Sequence, residues 1–157
     1  MSTFIRPPLD FEVIREIWNK YELADNSILK VKIVLTSVRK GEVQQQQEAT
    51  KPSAQSKYPF DFQVITVFLT GEHGQPDTKI YSPQELKASI IRDDISFRTV
   101  EQDWNEYLTD NNIRIKIQPL IMKVAKTSKF NSIGEPIYLV DQNITVQVKP
   151  PSTIPTP

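Results

Sequence analysis

Cysteine is absent from this chain, histidine occurs once, and there are four glycines in 157 residues. Without cysteine there can be no disulfide staple, thiolate metal site or Cys nucleophile. The single histidine, His73, leaves any metal site to be built from oxygens. Asp61, Asp93 and Asp94 lack the alternating spacing of a calcium loop. Neither a phosphate-cradling glycine loop nor a nucleophile elbow is present, and so few glycines make either hard to build. An excess of one charge is missing too: 19 Lys and Arg balance 19 Asp and Glu. No global field therefore draws in nucleic acid or an anionic membrane. No apolar run approaches the roughly 18 to 20 residues that cross a bilayer, and the opening MSTFIRPPLDFE lacks a secretory pattern. These absences predict a soluble, cytoplasmic protein with no cofactor, no metal and no membrane partner.

What the sequence does have is an internal repeat. Most of Phe11 to Lys40 recurs from Phe97 to Lys126, opening FEVIREIWNKYELADNSILKVKI in one copy and FRTVEQDWNEYLTDNNIRIKI in the other. Phe11, Ile14, Trp18, Asn19 and Tyr21 meet Phe97, Val100, Trp104, Asn105 and Tyr107 at one constant offset. After single-residue slips, Asp25-Asn26 meets Asp110-Asn111, and Lys30 to Ile33 meets Arg114 to Ile117. A repeat of this period divides the protein into two small units that are expected to pack together.

Within each copy the spacing Phe11, Ile14, Trp18, Tyr21, or Phe97, Val100, Trp104, Tyr107, predicts one face of a short helix, with Asp10 or Ser96 as its N-cap. A polar Asp-Asn turn follows. Then comes an alternating strand, with Leu29, Val31, Ile33 and Leu35 inward in the first copy and Ile113, Ile115 and Ile117 in the second. Pro119 argues for an edge or a bulge. Phe60 to Leu69 reads as one long strand, or as a strand partnered by Lys79 to Tyr81; Asp141 to Asn143 reads as a turn between two strands. Ser82, Pro83 and Glu85 form a capping box that predicts a helix over 82–91.

The predicted fold is therefore α+β: a tandem repeat of two small units, each a short helix followed by an antiparallel β-meander or partly open small barrel. The expected organisation is an N-terminal arm over 1–9, a first unit over 10–81 with a low-complexity glutamine-rich loop at 41–57, a connecting helix and linker over 82–95, a second unit over 96–149, and a disordered proline-rich tail over 150–157.

No catalytic set emerges. His73 lies in a Gly-flanked turn away from any candidate partner, and Glu12 and Glu16 read as a solvated helix face. Trp18, Tyr21, Trp104 and Tyr107 suit either stacking platforms or, better, the helix-to-sheet core that a duplicated fold needs twice. Asn19 and Asn105, set between core aromatics, suggest side chains that bond the backbone. The candidate binding residues are two basic strips, Lys30, Lys32, Arg39 and Lys40 in one copy and Arg114, Lys116, Lys123 and Lys126 in the other. Such strips suit an acidic protein surface or a phosphate backbone, or simply shield strand edges. The expected function is non-enzymatic macromolecule binding or scaffolding, with another protein as partner. Nucleic-acid binding through the basic strands is the first alternative, and an enzyme with a cleft between the units is the second.

Overall fold

The computed structural model describes residues 8–39 and 60–151. In sequence order they form β1 (Pro8–Leu9), β2 (Phe11–Arg15), β3 (Trp18–Leu23), β4 (Ile28–Arg39), β5 (Phe60–Leu69), α1 (Pro83–Ala88), β6 (Ile90–Arg92), β7 (Phe97–Glu101), β8 (Asn105–Thr109), β9 (Arg114–Phe130) and β10 (Pro136–Lys149). At 64% strand and 5% helix, with antiparallel sheets and a half-barrel, this is a β protein and not the α+β tandem of helix-plus-meander units. The loop at 41–57, Lys40 and most of the arm and tail lie outside the described residues.

The error lies in the two stretches read as helices. Both are strand, break, strand: β2 then β3, and β7 then β8. Residues three apart share a helix face but point to opposite faces of a strand. Tyr21 is accordingly buried in the core while Trp18 stands on the outer face. Ile14 and Val100 occupy matching bulges, where the register slips by one residue, and both are exposed, at 48% and 45%. The bulges and breaks interrupt the period of two, so the aromatic spacing mimics a helix.

Other boundaries move for local reasons. α1 has its capping box at Ser82 and Glu85 but stops at Ala88, because Ile90 and Arg92 pair with Thr127 and Lys126 of β9. Asp141 to Asn143 continue the single strand β10, each paired to β9, which leaves its own Met122 out of register there; no glycine is present to take a left-handed hairpin turn. Lys79 to Tyr81 forms no strand, and among the described residues β5 pairs with β4 alone. Pro119 sits mid-way along β9, opposite Ile144. On its other side β9 has passed Ile117, the last residue paired to β8, and has not reached Lys126, where β6 pairs. Its missing N–H interrupts no β8 or β6 ladder there.

Two five-stranded sheets result, one ordered β1-β4-β3-β7 with β5 on the far side of β4, the other β10-β9-β8-β2 with β6 on β9. Their first strands are exchanged: β2 joins β8, and β7 joins β3. The registers correspond residue for residue, Phe11 opposite Thr109 and Val13 opposite Tyr107 in one sheet, Phe97 opposite Leu23 and Thr99 opposite Tyr21 in the other. The turns also correspond, but at the constant offset of the aromatics and without the single-residue slips: Asn26 matches Asn112, at φ 71° and 67°, left-handed positions that asparagine tolerates, and Leu29 matches Ile115, opposite Tyr21 and Tyr107. The sheets face each other over two apolar clusters. One gathers Tyr21, Leu29 and Val31 with Ile121, Val124 and Tyr138; the other gathers Ile33, Leu35 and Val38 with Tyr107, Ile115 and Ile117. Each cluster draws on both sheets, so the sheets' other faces point away from one another.

Candidate functional site

The centre of the molecule is where the exchanged strands cross. Buried Asn19 donates to Val31 O at 3.3 Å and accepts the Asp103 N–H at 3.0 Å; buried Asn105 donates to Ile33 O and accepts the Ile17 N–H at 3.1 Å. Beside them Tyr21 donates to Gln102 at 2.5 Å and Tyr107 to Glu16 at 2.7 Å, again at matching positions. Phe97 and Phe11 meet these tyrosines edge-on, each pair 5.9 Å apart. Burial pushes the Tyr21 phenol up to about 12; burial, then the Glu16 carboxylate, pushes Tyr107 higher still. These groups are satisfied by one another and present no open site. Of the eight residues read as core, Tyr21 and Tyr107 are fully buried, Phe11 and Phe97 half-buried, and Ile14 and Val100 exposed.

Trp18 and Trp104 are half-buried on the two outer faces. Lys30 and Lys32 stand 4.9 and 5.6 Å from the Trp18 ring centre, and Lys116 stands 5.9 Å from Trp104. The protein's own ammonium groups therefore cover the rings that a base would stack on. Lys32 also lies 3.8 Å from Glu16, Arg114 pairs with Glu106, and Lys123 pairs with Asp93 at 2.9 Å. Lys126 is tucked between the sheets with Asp25, 3.9 Å away, and Glu72. Arg39 closes β4 opposite Pro8, on an exposed surface. The two strips do not merge. Lys30 and Lys32 lie on one outer face and Arg114 and Lys116 on the other, with Glu16 and Glu106 beside them, while Lys126 is turned inward.

His73 is exposed, its ring 3.4 Å from Gly71 O, and no metal-binding group of His, Asp and Glu occurs among the described residues. A cleft of about 700 Å³ lies between α1 and the β9–β10 pair. Leu86, Ile90, Ala125, Leu139 and Val140 line it, and the Lys123–Asp93 pair closes one side. Its volume suits a small molecule.

The edges of the sheets separate more sharply. Among the described residues six strands have an open side: the short β1 and β6, and the longer β2, β7, β10 and β5. Of the longer ones, β2 and β7 carry devices that discourage pairing, a bulge at Ile14 with Glu12 and Arg15, or at Val100 with Arg98 and Glu101; β10 carries Asp141 and Lys149. β5 has no bulged residue of its own, its one register slip leaving Thr36 of β4 unpaired, and its one charge is Asp61. Its register against β4 runs unbroken from Phe62 to Leu69, and no charge occurs between Asp61 and Glu72. Val64 and Ile65, on opposite faces, are 37% and 40% exposed, and Leu69 is 49% exposed. Further along, Thr66 to Phe68 border a cleft of about 350 Å³ whose other wall is Asn131 and Glu135 to Tyr138. By sequence alone this stretch is an ordinary strand. The signal is present in FDFQVITVFL, ten residues rich in β-branched and aromatic side chains with one charge, but edge position comes only from the topology. Comparison with protein-family models, with curated proteins and with solved structures found no match for this protein.

Proposed function

We propose that this is a non-enzymatic protein-binding module that takes up an extended strand of another polypeptide along β5. The observation that carries this reading is the β5 edge itself, in unbroken register with β4 from Phe62 to Leu69, uncharged beyond Asp61, with Val64, Ile65 and Leu69 exposed. A free edge presents backbone N–H and C=O groups that a partner strand can satisfy, while exposed side chains such as Val64, Ile65 and Leu69 supply pockets and contact area. A protein partner is favoured over a phosphate backbone because Lys32, Arg114, Lys123 and Lys126 already face carboxylates. Zero net charge gives no long-range pull on a polyanion either.

The test is capture on three tagged baits: the natural protein, Ile65→Lys and Lys116→Glu. A protein retained by the first and third baits but lost on the second, and which slows amide exchange over 60–69, is the expected result. Capture that ignores Ile65→Lys, or a bait that returns neither another protein nor untagged copies of itself at several salt concentrations, overturns the reading.

A further inference from the structure

Resting on the β5 reading, we infer that the occupant of this edge is the β5 strand of a second copy of the protein, paired antiparallel about a two-fold axis near Ile65. An axis perpendicular to the sheet keeps inner faces inner, so two five-stranded sheets would join into one continuous sheet. The register follows from the axis. Ile65 meets its own copy on the outer face, and Val64 meets Thr66 and Phe62 meets Phe68 on the inner face.

Self-pairing fits the charges as well as the shapes. The one charge in β5, Asp61, would lie opposite Leu69 of the other copy. The two Asp61 carboxylates would then stand about 27 Å apart at roughly 3.4 Å per residue, beyond a Debye length of about 8 Å. Molecules of formal charge zero do not repel as wholes. The run Val64 to Val67 is β-branched throughout, which favours extended pairing. The surface that would be covered is the one that is otherwise exposed: Val64 on the inner-face side, which the opposite sheet leaves 37% open, and Ile65 on the outer side at 40%. The β2 and β7 edges show that the fold has bulged residues and charges at its disposal to block pairing, and β5 has no bulged residue and a single charge, Asp61.

Sedimentation velocity on the purified full-length protein tests this. At about 50 μM, well above a Kd near 1 μM, the natural protein is expected at twice the monomer mass. Ile65→Lys should weaken the dimer at least about 100-fold, because a lysine there faces its own copy across the axis. Ile65→Glu should do the same, and mixing the two variants should restore a mixed dimer. Ile65 is exposed enough that either variant keeps the natural circular dichroism spectrum, and Val100→Lys on the β7 edge should leave the dimer intact. A monomeric natural protein, or a dimer indifferent to both Ile65 variants, overturns the inference. If the protein is monomeric yet captures a different polypeptide in an Ile65-dependent way, only the identity of the occupant is wrong; if it captures none, the β5 reading falls with it.

Discussion

Asn19 and Asn105 hold down each other's repeat: the Asn19 amide oxygen accepts the N–H of Asp103 at 3.0 Å, and the Asn105 amide oxygen accepts the N–H of Ile17 at 3.1 Å. Each of these N–H groups lies two residues before the other asparagine, in the break where the exchanged strand ends. The pair therefore fastens the crossing point of β2 and β7. Both side chains are buried, so water cannot replace the lost bonds.

Truncating either asparagine should consequently destabilise the fold by a similar amount. Asn19→Ala takes the acceptor from the Asp103 N–H and Asn105→Ala takes it from the Ile17 N–H, a loss of about 1 to 3 kcal/mol per buried group. Urea denaturation measures it. Asn19→Asp should cost more than Asn19→Ala, because a carboxylate cannot donate to Val31 O and carries charge into the core.

Strand exchange makes a second prediction. Cutting between residues 81 and 82 leaves the first fragment with β2 but without the β8 edge that β2 completes, and leaves the second with β7 but without β3. Each fragment also loses half of both apolar clusters. Fragments 1–81 and 82–157 should each lack dispersed amide NMR spectra alone and regain the spectrum of the whole protein when co-expressed. A dispersed, cooperative spectrum from either fragment by itself would contradict the exchange.

At low pH the weak point should be Asp25, in the β3–β4 turn. Burial alone would raise its pKa, but bonds from Ser27 and Tyr138, the latter at 2.6 Å, and the nearby Lys126 together hold it below the ordinary aspartate value. A carboxyl with a depressed folded pKa adds stability that is complete above the unfolded value of about 3.9 and is lost as pH falls through the folded value. Melting temperature should drop as pH falls from about 5, and Asp25→Asn should flatten that limb while lowering stability at pH 7.

Legibility from sequence follows from what each signal depends on. The Asp-Asn turns, the alternation of Leu29, Val31, Ile33 and Leu35, and the Ser82 capping box rest on local chemistry, and the structure has all three. The strands β2 and β7 are hidden because a bulge at Ile14 or Val100, followed by a break, replaces a period of two with steps of three and four. Exchange cannot be read at all. Two copies of one sequence offer each first strand two nearly identical docking edges, and the choice between them depends on how the backbone crosses over and not on any residue. For the same reason the β5 edge is invisible: FQVITVFL reads alike in a central and an edge strand.

The alkaline limb should report the same crossing point. Tyr21 is raised to about 12 by burial, and Tyr107 is raised further by burial and by Glu16, to which its hydroxyl donates at 2.7 Å. An acid that holds its proton more tightly when folded contributes stability below the unfolded pKa, near 10, and loses it as pH rises through the folded value. Ultraviolet titration at pH 11 should thus find these two phenols still protonated. Glu16→Gln gives Tyr107 the uncharged partner that Tyr21 already has in Gln102, and should bring the two titrations closer together. Two buried tyrosines that ionise near pH 10 in the folded protein would mean that the crossing point opens to water, and the Asn19 and Asn105 bonds would not hold it shut.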